Sequence, residues 1–218
     1  MIGVRIKTAD EIKELNMTEL LGFVDADRRE AVLRLKFEDG KRLSLAAGLL
    51  LAEVAKEKLG LSPEEIEIGR TEEGKPFIKG HEDFYFNLSH SGEMAVIAYG
   101  DEPVGIDVEK VRFRAGDEDV AKRFFTENEL LYILNGRDYD EAAAERFFRV
   151  WTRKESYLKL LGYGLKKELK SFDVTEPETV PGYGYAEYMD GEYIVTVCAS
   201  EKTIINSTKI IDFCDDME

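Results

Sequence analysis

The chain has 218 residues, a formal net charge of −15 and 44% apolar residues, enough to fill a real core in one large domain or two small ones. So acidic a balance argues against nucleic acid as the main partner, because binding that polyanion depends on lysine and arginine displacing its counterions. No run of eighteen apolar residues occurs, and Met1-Ile2-Gly3-Val4-Arg5 lacks the order of a secretion signal, so a cytoplasmic protein with no membrane partner is expected.

In chain order, residues 43–59 place Leu43, Ala46, Ala47, Leu50 and Val54 at helical spacing and stop at Gly60, where a glycine accepts the left-handed cap conformation. Strands are predicted at 66–68, 84–88 and 94–99. A longer helix is predicted over 141–161 from Phe147, Val150, Trp151, Leu158 and Leu161, and it too ends at a glycine, Gly162. Strands follow again at 172–174, 184–188 and 193–198, the last two flanking the turn pair Asp190-Gly191. Helix then strands, stated twice, predicts an α+β fold of two pseudo-symmetric halves joined near Gly105, each a long helix packed on a small antiparallel sheet. A single α+β domain with coincidental symmetry fits the same pattern. With two halves, their seam is the place to expect a ligand cleft.

Cys198 and Cys214 make no disulfide framework or zinc clamp, and His81 and His90 are too few for a histidine-rich metal centre. Carboxylates are left as metal ligands, which favours a hard cation. In Gly105-Ile106-Asp107-Val108-Glu109, read as a strand, Asp107 and Glu109 share one face while Ile106 and Val108 enter the core. Two such carboxylates, if partly buried, call for a cation such as Mg²⁺; a plain polar strand face has the same pattern. Trp151, Glu155 and Lys159 recur every four residues and form one helix stripe, in which Glu155 is either a third ligand or the partner of Lys159 in a surface ion pair. His90, within Asn87-Leu88-Ser89-His90-Ser91-Gly92, lies in a donor-rich loop suited to phosphate, though a tight turn with incidental polar residues has the same look, and Lys75 sits on a stiff turn before Pro76. Arg28, Arg29, Lys41 and Arg42 add dispersed positive charge, and residues 149–170 carry seven bases against two acids.

Together these pieces resemble the surfactin-synthetase-activating class of 4′-phosphopantetheinyl transferases. The resemblance rests on Lys75-Pro76, the Asn-x-Ser-His-Ser segment ending at Ser91, the Gly-Ile-Asp-x-Glu strand, Phe124-Phe125-Thr126-Glu127-Asn128-Glu129, the Trp-x-x-Lys-Glu-Ser-x-x-Lys helix from Trp151 to Lys159, and Gly162-Tyr163-Gly164. It implies that coenzyme A gives its phosphopantetheine arm to a serine of an acyl, peptidyl or aryl carrier protein, leaving adenosine 3′,5′-bisphosphate. It implies Asp107, Glu109 and Glu155 as Mg²⁺ ligands, and Glu155 and Lys159 as catalytic residues. Lys159 would contact the diphosphate, and Arg28, Arg42, Lys75, Ser89 and His90 the adenosine 3′-phosphate end. Glu155 and a metal-bound water stay open as alternatives for the base. Residues 1–104 would carry the adenosine contacts. Residues 105–218 would carry the metal ligands and the carrier-docking face, for which the basic stretch 149–170 is the expectation. The family's two-half form further implies a monomer. The chain departs from the family at Ala31, where another base is common, and no catalytic role is carried over to Glu129.

Overall fold

The computed structural model describes residues 1–114, 116–163, 168–176 and 180–206. The first half opens with strand β1 (Ile2–Thr8), the short helix α1 (Met17–Leu20), α2 (Ala26–Arg34) and the long α3 (Glu38–Leu59). A two-stranded ribbon of β2 (Ile68–Arg70) and β3 (Pro76–Ile78) follows, then the hairpin β4 (Tyr85–Ser91) and β5 (Met94–Gly100). The second half contains β6 (Gly105–Lys110), α4 (Asp117–Phe124), α5 (Glu127–Leu134), the long α6 (Glu141–Leu161), the hairpin β7 (Tyr183–Asp190) and β8 (Tyr193–Ser200), and α7 (Glu201–Asn206).

Both long helices end where the sequence predicts, at Gly60 (φ 74°) and Gly162 (φ 81°), because a residue without Cβ takes the left-handed conformation without strain. α3 begins five residues earlier than its apolar spacing suggests, with Glu38 and Asp39 in the first turn, where negative charge favours the helix dipole.

Two antiparallel sheets, ordered β1-β5-β4 and β6-β8-β7, stack on each other, and α3 and α6 cover their outer faces. The alternation of side chains along each strand builds this stack. In β5, Ala95, Ile97 and Tyr99 face the α3 core, while Met94, Val96 and Ala98 enter the inter-sheet core with Ile106, Val108, Val195 and Val197. Residues 105, 107 and 109 therefore turn toward α6. This is the α+β, twice-stated architecture expected from the sequence.

Two sequence expectations need correction. The strand predicted at 66–68 is shifted: Ile66 is a buried residue of the first core, and pairing starts only at Ile68. Residues 172–174 are not a strand. Phe172 and Val174 are buried as their apolar character suggests, but the Phe172 carbonyl accepts from Lys154 Nζ and the Val174 amide donates to Glu129, so side chains take the bonds a neighbouring strand would have made.

Candidate active site

The site begins with a missing side chain. A Cβ on Gly105 would lie 2.6 Å from the Leu160 amide nitrogen and would overlap the Ser156 carbonyl oxygen, so only glycine lets α6 lie this close to β6. That contact sets the α6 stripe of Trp151, Glu155 and Lys159 over Asp107 and Glu109. These five residues, with Leu88, Ser89 and His90 from the first half, line a cavity of ≈ 390 Å³.

The Lys159 ammonium donates to Asp107 Oδ1 at 2.6 Å and to Ser89 Oγ at 2.8 Å. The other carboxylate oxygen of Asp107, Oδ2, and Glu155 Oε1 are both buried without a hydrogen-bond partner. Burial, reinforced by the Asp107 charge, pushes the Glu155 carboxyl up to about 6, and burial also raises Asp107 and Glu109. Among the described residues no three His, Cys, Asp or Glu side chains are drawn close enough to enclose an ion. The donor set nonetheless suits a divalent cation. Three carboxylates with disfavoured charge share one cleft, two of their oxygens lack partners, and hard oxygen ligands match Mg²⁺.

The two halves meet here through side chains. Asn87 Oδ1 accepts the Ile106 amide at 2.8 Å, Ser89 Oγ the Val108 amide at 3.4 Å, and Ser91 Oγ the Lys110 amide at 3.2 Å. The same serines donate to the carboxylates beside those amides, Ser89 to Asp107 Oδ1 at 2.8 Å and Ser91 to Glu109 Oε2 at 2.6 Å. Because β6 is an edge strand of its sheet, these amides have no backbone partner on that side, and each would cost about 1–3 kcal/mol if buried unmet. The segment read as a donor-rich loop is thus the end of β4 itself.

Of the groups expected at the adenosine 3′-phosphate end, Ser89 and His90 line the cleft, while Arg28 donates to Ser44 Oγ at 3.4 Å and lies near enough for its charge to act on His90. His90 is held below its ordinary pKa by partial burial and by the charges of Lys159 and Arg28, and Arg28 in turn feels Arg70. Arg70, which no sequence motif marks, adds its charge to this run and donates to the Gly74 carbonyl at 3.1 Å. Arg42 donates Nη1 to the Ile12 carbonyl at 3.0 Å. The Lys75 ammonium crosses the seam to the carbonyls of Val104 (3.0 Å) and Leu160 (2.9 Å), and burial pushes its pKa down to about 8.

Residues 103–209 match the 4′-phosphopantetheinyl transferase superfamily, and residues 13–102 match its N-terminal family, 4′-phosphopantetheinyl transferase, N-terminal. A 4′-phosphopantetheinyl transferase of Bacillus subtilis is 32% identical over 212 residues, covering 91% of this chain and 88% of the relative. The Sfp transferase of Bacillus subtilis strain 168 is 33% identical over 154 residues, covering 71% and 67%. The chain belongs to the Sfp-type 4′-phosphopantetheinyl transferases. It is an enzyme that moves the 4′-phosphopantetheine group from coenzyme A to carrier proteins. A solved holo-(acyl-carrier-protein) synthase of Bacillus anthracis in complex with CoA (3′,5′-ADP) overlays 45% of this chain and 91% of that one at 20% identity and a TM-score of 0.36, too slight a likeness to carry any contact across.

In this transferase the basic stretch 149–170 is largely engaged within the fold. Arg149 and Arg153 both pair with Glu187, Lys170 donates to the Lys122 carbonyl, and Lys166 and Lys167 lie outside the described residues. Lys154 is the largest surprise. At 1% exposure it is core, bonded to Glu129 Oε1 and to the carbonyls of Leu169 and Phe172 at 2.7 Å each. Glu129, 0% exposed, also accepts the Val174 and Thr126 amides, so this buried pair binds α5, α6 and the 169–174 segment together. The capping pattern Thr126-x-x-Glu129 was the available signal for that glutamate, since it places the side chain back over the helix start.

Proposed function

We propose that Asp107, Glu109 and Glu155 hold Mg²⁺ against the diphosphate of coenzyme A while a serine of an acyl, peptidyl or aryl carrier protein attacks the pantetheine-side phosphorus. A serine O–P bond forms, the P–O bond to adenosine 3′,5′-bisphosphate breaks, and the serine proton passes to a base. The reading is carried by one observation: Asp107 and Glu155, each with a buried carboxylate oxygen that lacks a partner, line a cleft that a lysine and a histidine also line.

The metal would stabilise the charge that develops on the diphosphate oxygens. Lys159 is poised to add to that stabilisation from its place beside Asp107. Glu155, or a water in the cleft, takes the serine proton; the Glu155 value of about 6 belongs to the cation-free cleft and would fall beside a bound dication. Ser89, His90 and Arg28, with Arg70 behind them, are assigned to the 3′-phosphate end. Arg42, which gives one nitrogen to the Ile12 carbonyl, and Lys75, whose ammonium is held by the carbonyls of Val104 and Leu160, are assigned to support. In this division residues 1–104 bind the adenosine end, and residues 105–218 bind the metal and present the docking face.

Mass measurement tests the reading. An apo-carrier incubated with coenzyme A and Mg²⁺ should gain one phosphopantetheine, roughly 340 Da. Release of free phosphopantetheine with the carrier mass unchanged would mean hydrolysis, and no change in either would mean binding alone; both results refute it.

A further inference from the structure

The cleft depends on two residues that no chemical role has claimed, Asn87 and Ser91. Each β4-to-β6 amide bond spans 19 positions, 87 to 106, 89 to 108 and 91 to 110, so the two strands run in parallel and in step. Side chains stand in for the backbone ladder that parallel neighbours would otherwise form. Asn87, at 6% exposure, supplies one acceptor. A serine supplies more, because its hydroxyl has one proton to give and lone pairs to receive with. Ser91 Oγ uses both capacities, taking the Lys110 amide and giving its proton to Glu109 Oε2 at 2.6 Å. Placement of the strand and orientation of the carboxylate are thereby one event.

Ser89 does the same for Asp107, but that carboxylate is also held by Lys159. For Glu109, Ser91 is the only hydrogen-bond donor among the described residues. Glu109 is half-buried.

We propose that Asn87 and Ser91 are positioning residues of the transfer reaction: Asn87 fixes β6 against β4 at Ile106, and Ser91 fixes both the strand at Lys110 and the direction in which Glu109 faces the cleft. The role of Ser91 rests on the reading of Glu109 as a metal ligand; the ladder itself does not.

The test uses the full chain with Mn²⁺ as a paramagnetic probe, amide hydrogen exchange and carrier modification. Ser91→Ala should weaken Mn²⁺ binding about tenfold, in line with the loss of a group that orients a metal ligand. It should also speed exchange at the Lys110 amide while leaving the melting profile cooperative. Ser91→Thr, which keeps the hydroxyl, should restore both to within about twofold of the parent. Asn87→Ala should speed exchange at Ile106, and Asn87→Asp, which keeps an acceptor, should not. Unchanged Mn²⁺ affinity in Ser91→Ala, or a threonine variant no better than the alanine one, would overturn the role of Ser91. Unchanged Ile106 exchange in Asn87→Ala would overturn that of Asn87. A parent protein that binds no Mn²⁺ and labels no carrier would instead end the metal reading, and exchange at Lys110 and Ile106 would then decide the ladder alone.

Discussion

Gly105→Ala tests whether the contact of α6 with β6 builds the site. The new Cβ would start 2.6 Å from the Leu160 nitrogen, against the 3.4 Å at which ordinary contact begins, and nearer still to the Ser156 carbonyl oxygen, so the helix must withdraw by at least about 0.8 Å. The obstacles are the Leu160 nitrogen and the Ser156 carbonyl, both backbone, so no side chain can rotate out of the way. Overpacking of this kind costs about 1–3 kcal/mol. The functional loss should be larger than the stability loss implies. Lys159 lies next to Leu160, and its bonds of 2.6 Å to Asp107 and 2.8 Å to Ser89 leave the normal range if the helix retreats that far. Misplacement by about 1 Å can cost a catalytic site about 10²-fold. Urea unfolding should show the destabilised but cooperative variant, and the rate of carrier modification at saturating coenzyme A should fall on the order of a hundredfold. A variant within about twofold of the parent in rate and about 0.5 kcal/mol in stability would refute the argument.

Two further expectations concern titrating groups. Glu155 has a folded pKa of about 6 against an ordinary 4.5, so its ionised form is penalised in the metal-free fold: by nothing below about pH 4.5, where both states are protonated, and fully above about pH 6, at about 2 kcal/mol. Metal-free Glu155→Gln should therefore gain up to that much stability at pH 7 and lose that part of the pH dependence, and with Mg²⁺ supplied it should keep coenzyme A binding and lose turnover by two orders of magnitude or more; urea titrations that match the parent at every pH would contradict the assignment. Lys75→Met should lower turnover by about tenfold, equally for coenzyme A and 3′-dephospho-coenzyme A, because the ammonium is held by the Val104 and Leu160 carbonyls; a loss confined to coenzyme A would place Lys75 on the 3′-phosphate instead.

What was legible in the sequence was local. Apolar spacing and a closing glycine mark both long helices, since cap conformation is decided within a few residues, and strict alternation in Gly105-Ile106-Asp107-Val108-Glu109 orients two carboxylates without any knowledge of what they face. What was not legible depends on partners far along the chain. Asn87, Ser89 and Ser91 look like a polar loop until the amides of a strand 19 positions on are placed beside them. Residues 172–174 look like a strand because the sequence does not announce that Lys154 and Glu129 will take their backbone bonds. Counting charge over 149–170 gave a basic stretch, but Glu145 and Glu187, near it in space, pair with both of its arginines. The same count took Lys154 for a surface base, although the aromatic rings of Phe125 and Phe172 enclose it.

The outer strands β4 and β6 lend the enzyme a form of self-protection. Unpaired strand margins invite sticking between molecules, and proteins commonly blunt them with charge or proline. Here each margin shelters the other through three small polar side chains, so neither half can be parted from its twin without baring a row of hungry amides. Inheritance of both halves on one polypeptide keeps that shelter at a fixed local concentration, however dilute the protein becomes.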